Sequence, residues 1–98
     1  MTKTIAMSAF YPLSQKEQLR ILDVREPEEF SSGHVPTAEN FPLSQLGEHS
    51  QRLDQTKEYY VICQSGARSA RACAFLAAQG YDVTNVEGGT SAWPGELD

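Results

Sequence analysis

Between Tyr59 and Gly80 the chain passes from an apolar run, Tyr59-Tyr60-Val61-Ile62-Cys63, into a stretch rich in Ala, Arg and Leu, Ala67 to Gln79. Only Gln64, Ser65 and Gly66 separate the two. The first run is aromatic and β-branched, as strands are. The second is built from strong helix formers and stops at a glycine. A strand that feeds a helix through so short a link is the unit of parallel α/β folds. The strand shows no polar alternation, so it reads as buried on both faces.

The rest of the chain repeats this alternation. Ile5-Ala6-Met7 reads as a short first strand, and Ser14 is placed to cap a short helix. Leu19 to Val24 reads as a buried strand. Glu26 to Phe30 suits a short helix, with Pro27 at its first position, acidic residues in its first turn and Gly33 at its close. Ala38 to Phe41 reads as a strand, Leu43 to Leu53 as a helix with a thin leucine stripe, and Tyr81 to Val86 as the last strand. Gly88-Gly89 then turns the chain into Thr90 to Trp93, a terminal helical turn. The expected fold class is α/β, a mostly parallel central sheet flanked by helices on both faces. At 98 residues the chain is sized for one domain, residues 1–98.

Charge narrows the partners. Eight Lys and Arg against 13 Asp and Glu leave a net charge of −5. Nucleic acid and anionic membrane surfaces both call for clustered cations, so neither is an expected partner. No run approaches the roughly 20 apolar residues of a membrane span, and the first seven residues hold no signal-peptide core. Two cysteines are too few for a disulfide scaffold, and the expected location is the cytoplasm.

Cys63 stands where a strand ends and a helix is about to begin. Ligands of open α/β sheets gather at that edge. The free N–H groups and positive dipole end of the helix would face the sulfur and favour its thiolate, the nucleophilic form. Gly66 allows unusual backbone angles, Ser65 and Ala67 are small, and inward-turned amides would form an anion-binding concavity. Arg68 adds a fixed positive charge. The candidate site is thus Cys63 as nucleophile, with Gln64, Ser65, Gly66, Ala67, Arg68 and Ser69 around the bound group. The competing reading is a buried structural cysteine beside a solvated arginine.

Three blocks resemble one family. Asp23-Val24-Arg25-Glu26-Pro27-Glu28-Glu29-Phe30, continued by Gly33-His34-Val35-Pro36-Thr37-Ala38-Glu39-Asn40, is similar to the first signature of rhodanese-like sulfurtransferases. Cys63-Gln64-Ser65-Gly66-Ala67-Arg68-Ser69 resembles their active-site loop, and Asn85-Val86-Glu87-Gly88-Gly89-Thr90-Ser91-Ala92-Trp93 their closing segment. The resemblance implies the rhodanese-like fold and transfer of sulfane sulfur through a Cys63 persulfide. The donor would be a small sulfur-bearing anion such as thiosulfate, or a persulfide; the acceptor would be thiophilic, with a sulfur-relay protein or a thioredoxin-like protein among the candidates. It implies no metal and no organic cofactor. Six residues from Cys63 through Arg68 match the sulfurtransferase loop, whereas phosphatases and arsenate reductases of this fold use a loop one residue longer. Many thiosulfate-using members have a basic residue where this chain has Gln64, so a persulfide is expected to serve better than thiosulfate. Thr37 stands where a glycine is common. The alternatives are a non-catalytic protein-binding or regulatory module on the same fold and, disfavoured by the short loop, a phosphatase or arsenate reductase.

The remaining candidates carry blander expectations. Cys73 shares a helix face with Ser69, Ala72 and Leu76 at i, i+3, i+4 and i+7, which places it in the core as an inert thiol. His34 is expected to bond locally, and with His49 it lacks the spacing of a zinc site. Asp23 and Arg25 are expected to orient loops at the strand end. Glu87 reads as a solvated turn carboxylate, and Trp93 either walls the pocket or packs beneath the last turn.

Overall fold

The structure is a computed structural model and describes residues 3–98. Five strands form one sheet in the order β1-β5-β4-β2-β3: β1 Lys3–Ile5, β2 Ile21–Asp23, β3 Glu39–Asn40, β4 Glu58–Ile62 and β5 Asp82–Val86. Every pairing is parallel, so all five carboxyl ends lie on one edge. Registers Asp23↔Ile62 and Val61↔Asn85 bring the ends of β2, β4 and β5 level with one another. The helices are α1 Met7–Lys16, α2 Pro27–Ser31, α3 Leu46–His49 and α4 Ala67–Ala78.

Alternation along β4 splits the core into two layers. Tyr59, Val61 and Cys63 point to one side and pack with Leu22, Val24, Phe41, Leu46, Val83 and the buried face of α4, Ala72, Cys73 and Leu76. Tyr60 and Ile62 point to the other and pack with Phe10 of α1, Ile21, Val35 and Val86. Phe10 is fully buried, its ring 5.5 Å from that of Tyr60. A sheet covered on both sides is what the unbroken apolar character of β4 predicts.

The boundaries depart from expectation at four places. β1 lies at Lys3–Ile5 rather than 5–7, because Met7 already opens α1. That helix starts seven residues before Ser14 and runs through Pro12; Ser14 is interior and donates its hydroxyl to the Tyr11 carbonyl. Met7, Phe10 and Leu13 form an apolar stripe that seats α1 on the sheet, which outweighs the one backbone bond that proline forfeits. The helix expected over 43–53 is three short pieces, 3₁₀ turns at Leu43–Gln45 and Ser50–Arg52 around α3. Its leucine stripe is thin and Gly47 interrupts it, so too little apolar area favours a continuous helix. β2 and β3 are shorter than their apolar runs, since residues 19, 20, 24, 38 and 41 lie outside the paired registers.

Among the described residues, Thr37 is the one non-glycine residue with positive φ, at 72° in the turn before β3. A threonine there is strained. Among the described residues no helix is long and apolar enough to cross a membrane.

Candidate functional site

Cys63 follows β4 directly, at the carboxyl edge of the sheet, and Gly66 caps α4 with φ of 108°. That angle is open to glycine and closed to most other residues. It bends the loop so that the Gly66 amide reaches back to the Cys63 sulfur at 3.0 Å. The Ser69 hydroxyl lies 3.3 Å from the same sulfur. Burial alone would raise the Cys63 pKa, but hydrogen bonds from the Ser69 hydroxyl and from the Ser69, Gly66 and Ser65 amides outweigh it, and the thiol is shifted below its ordinary value of 9.0.

The loop's amides face inward because its carbonyls are held on the outside. The Thr90 amide donates to the Cys63 carbonyl at 2.8 Å, the Thr90 hydroxyl does so at 3.1 Å, and the Ser91 amide donates to the Gln64 carbonyl at 3.1 Å. Gly89 makes this contact feasible: a Cβ there would stand 2.5 Å from the Cys63 carbonyl oxygen and 2.6 Å from Gln64 backbone atoms. The Gly88-Gly89 turn and the 3₁₀ turn Thr90–Ala92 therefore act as an outer brace for the loop.

Ser69 is fully buried and has one hydroxyl proton for three acceptors: the sulfur, the Gly66 carbonyl at 3.2 Å and the Asn85 side-chain oxygen. The Asn85 oxygen is the nearest of the three, and an ionised sulfur competes with it for the same proton. Asn85, buried on β5, also donates its amide to the Gly66 carbonyl at 3.4 Å. Sequence reasoning missed Asn85. The available signal was a polar residue inside an apolar strand, one strand over from Cys63.

Asp23 and Arg25 form a buried ion pair, with the Arg25 Nε 3.0 and 3.1 Å from the two carboxylate oxygens and a terminal nitrogen at 2.9 Å. Arg25 also donates to the Gly33 carbonyl at 2.8 Å and to the Gln64 side chain at 3.2 Å. The pair thus ties the loop after β2 to the cysteine loop. Arg68 is not free, contrary to the expectation of a cation turned on the bound group. Its two terminal nitrogens donate to the two carboxylate oxygens of Glu29 on α2, at 2.7 and 2.8 Å. Bonds from Arg68 and from the Glu26 amide hold the Glu29 carboxyl down to about 2.

Access to the sulfur is narrow. Cys63 is 1% exposed, whereas Gln64, Ser65 and Ala67 are exposed and Gly66 and Arg68 half-exposed. The sulfur sits on the floor of the loop rather than open to solvent. Two cavities of about 270 and 310 Å³ lie elsewhere, around the amino end of β2 and Thr37. Trp93 lines the first and packs edge-on to Phe10 and Tyr11, beneath the last turn and away from the sulfur. The His34 Nδ1 lies 3.0 Å from the Phe30 carbonyl, its ring stacked on Phe30 at 3.8 Å, so it is a local brace. Cys73 is fully buried, and burial followed by repulsion from Cys63 pushes its pKa up to about 12.

Known proteins resemble this chain along most of its length. The rhodanese-like domain family matches residues 7–96. YtwF of Bacillus subtilis (strain 168), provisionally named a sulfurtransferase, is 45% identical over 80 residues, covering 82% of this chain and 78% of its own length. The thiosulfate sulfurtransferase GlpE of Pseudomonas syringae is 33% identical over 88 residues, with 84% of this chain and 83% of GlpE covered. A crystal structure of a rhodanese-like domain protein from Staphylococcus aureus superposes with a TM-score of 0.88 at 33% identity, over 99% of this chain and 97% of that one. The chain belongs to the rhodanese-like domain family.

Proposed function

We propose that the protein is a sulfurtransferase that carries sulfane sulfur on Cys63. The observation that supports this most directly is the sulfur itself, faced by the Gly66 amide at 3.0 Å and the Ser69 hydroxyl at 3.3 Å and shifted toward the thiolate. The Cys63 thiolate attacks the terminal sulfur of the donor. A new S–S bond forms as the donor's own S–S bond breaks, and the electron pair leaves with the donor remnant, sulfite when thiosulfate is used. The resulting persulfide is itself an anion, so the donors that stabilised the thiolate stabilise it too. A thiolate acceptor then attacks the outer sulfur, and Cys63 is regenerated as a thiolate. No net oxidation occurs and no external reductant is consumed.

The narrow approach to Cys63 bears on the donor. A reactant must present a slim, projecting sulfur, as thiosulfate, a low-molecular-weight persulfide or a persulfide on a sulfur-relay or thioredoxin-like protein does. The test is intact-mass measurement after incubation with thiosulfate, glutathione persulfide or a cysteine-desulfurase donor. Wild type gains one sulfur and returns it to an added thiol; Cys63→Ser gains none. A wild-type protein left unmodified by all three donors would overturn the assignment.

A further inference from the structure

We infer that Glu29 sets the charge preference of the Cys63 site: by clamping Arg68 it holds the loop near electrical neutrality and disfavours doubly negative donors. The inference rests on the sulfur-accepting role of Cys63, and its test is built to be read separately from that role.

The balance of charge around the loop is the argument. Arg25 is matched by Asp23 and Arg68 by Glu29, each pair in close contact through two or more nitrogen–oxygen bonds. Arg71, exposed one turn further along α4, has no ion-pair partner among the described residues. Positive potential at the sulfur therefore comes chiefly from amide dipoles, on a chain whose net charge is −5. An incoming anion must approach an ionised sulfur under that weak field. Electrostatic work scales linearly with the charge of the incoming group, so a dianion is penalised twice as heavily as a monoanion.

Glu29 differs from a purely structural acid in where its charge goes. One oxygen also accepts the Glu26 amide at 3.0 Å, in the capping box of α2. Glutamine can keep that acceptor while losing the charge, and its amide group would face the guanidinium donor to donor. Glu29→Gln therefore leaves the helix cap in place, removes the negative charge that offsets Arg68 and breaks one of its two bonds, the one to Oε2. For a potential change that speeds a monoanion about threefold at low salt, a dianion must gain about tenfold, the square of that factor.

Four reagents of graded charge read this out on Cys63: neutral iodoacetamide, singly negative iodoacetate and methanethiosulfonate, and doubly negative thiosulfate. Second-order rates are measured at low ionic strength for wild type, Glu29→Gln, Arg68→Gln and the double variant. The expected result is an iodoacetate-to-iodoacetamide ratio that rises about threefold in Glu29→Gln, and thiosulfate loading that rises about tenfold, with both gains absent when Arg68 is also replaced. Equal factors for all reagents, a fall in either ratio, or gains that persist without Arg68 would overturn it. Wild type supplies a check independent of any variant's folding: thiosulfate loading must accelerate as salt screens two like charges, and a decline with salt would count against the inference. If neither sulfur donor loads wild-type Cys63, the sulfurtransferase assignment fails, and the alkylation ratio still decides the role of Glu29.

Discussion

The two cysteines of this chain share a core layer, nearly equal burial and opposite chemistry. Cys63 is 1% exposed and Cys73 fully buried, yet the first is shifted below the ordinary thiol value and the second is pushed up to about 12. Burial therefore does not separate them. Donors do: a glycine amide and a serine hydroxyl reach the Cys63 sulfur, while Cys73 lies mid-helix, where the backbone amides are already engaged within α4. A strand end followed by a helix start is where a fold has N–H groups to spare, and the interior of a helix is where it has none. The contrast places the thiol that ionises more readily at the loop and the one that resists ionisation inside the helix.

The largest effect the contrast predicts comes from removing each sulfur in turn. Cys63→Ser is expected to abolish sulfur loading, read as the absence of any mass gain. Cys73→Ser should still load, and should instead lower stability by about 1–3 kcal/mol, because its hydroxyl enters an apolar cluster with few partners. Urea denaturation measures the second quantity. Loading by Cys63→Ser, or loss of loading in a folded Cys73→Ser, would erase the distinction between the two thiols.

A smaller effect isolates the donors. Ser69→Ala removes one hydrogen bond to the sulfur, and a bond to a charged group is worth roughly 1.5 kcal/mol. The Cys63 pKa should rise by about one unit, and iodoacetamide modification at neutral pH should slow about tenfold. The measurement is the pH dependence of alkylation in both proteins. Identical profiles would mean that the amides alone hold the thiolate.

How much of this was legible beforehand follows from the range of the interactions. The segment from Tyr59 to Gly80 was readable because each local signal agreed with the fold: a β-branched run, a glycine at the turn and helix formers to the next glycine. The buried face of α4, with Ser69, Ala72, Cys73 and Leu76, followed from helical spacing alone. Where a local signal conflicted with a tertiary one, the reading failed. Ser14 looks like a helix cap, yet the stripe that seats Phe10 on the sheet starts α1 at Met7 and carries it past Ser14. The partners that tune the site were equally hidden. Asn85 lies 16 residues from Ser69 and Glu29 lies 39 residues from Arg68, and only the parallel stacking of strands brings them together. The resemblance to rhodanese-like proteins located the loop, but not the carboxylate that occupies its arginine.

The contrast sharpens further at high pH. Cys73 has a folded-state pKa raised from 9.0 to about 12, so it loses its proton more readily in the unfolded chain. Its contribution to stability is complete below about pH 9 and is lost as pH climbs toward 12. Over that window the slope from this group is about 1.4 kcal/mol per pH unit. Cys63, shifted the other way, adds no such penalty. Replacing Cys73 with alanine should flatten the alkaline arm of the stability profile, and an unchanged arm would place the alkaline sensitivity elsewhere.

The smallest effect appears at the acid end, where a carboxylate supports one cysteine's surroundings and not the other's. Glu29 is held at about 2 rather than 4.5, so the Glu29–Arg68 pair contributes fully above the ordinary carboxylate value and is lost as pH falls toward 2. Both side chains are about one-third exposed, and solvent screening limits such a pair to a few tenths of a kcal/mol. Its influence should be local, because α2 meets the first turn of α4 through this bond, while Cys73 lies more than a turn further along. A thiol reagent that reacts in acid, such as a dipyridyl disulfide, should therefore find Cys63 progressively easier to reach between pH 4.5 and 2, with Cys73 still protected. Measured against a small free thiol, so that the reagent's own protonation cancels, that dependence should vanish in Glu29→Gln, because residue 29 no longer titrates. Parallel unmasking of both cysteines in wild type would mean that acid loosens the whole core, and that the loop and the helix interior differ less than their neutral-pH chemistry implies.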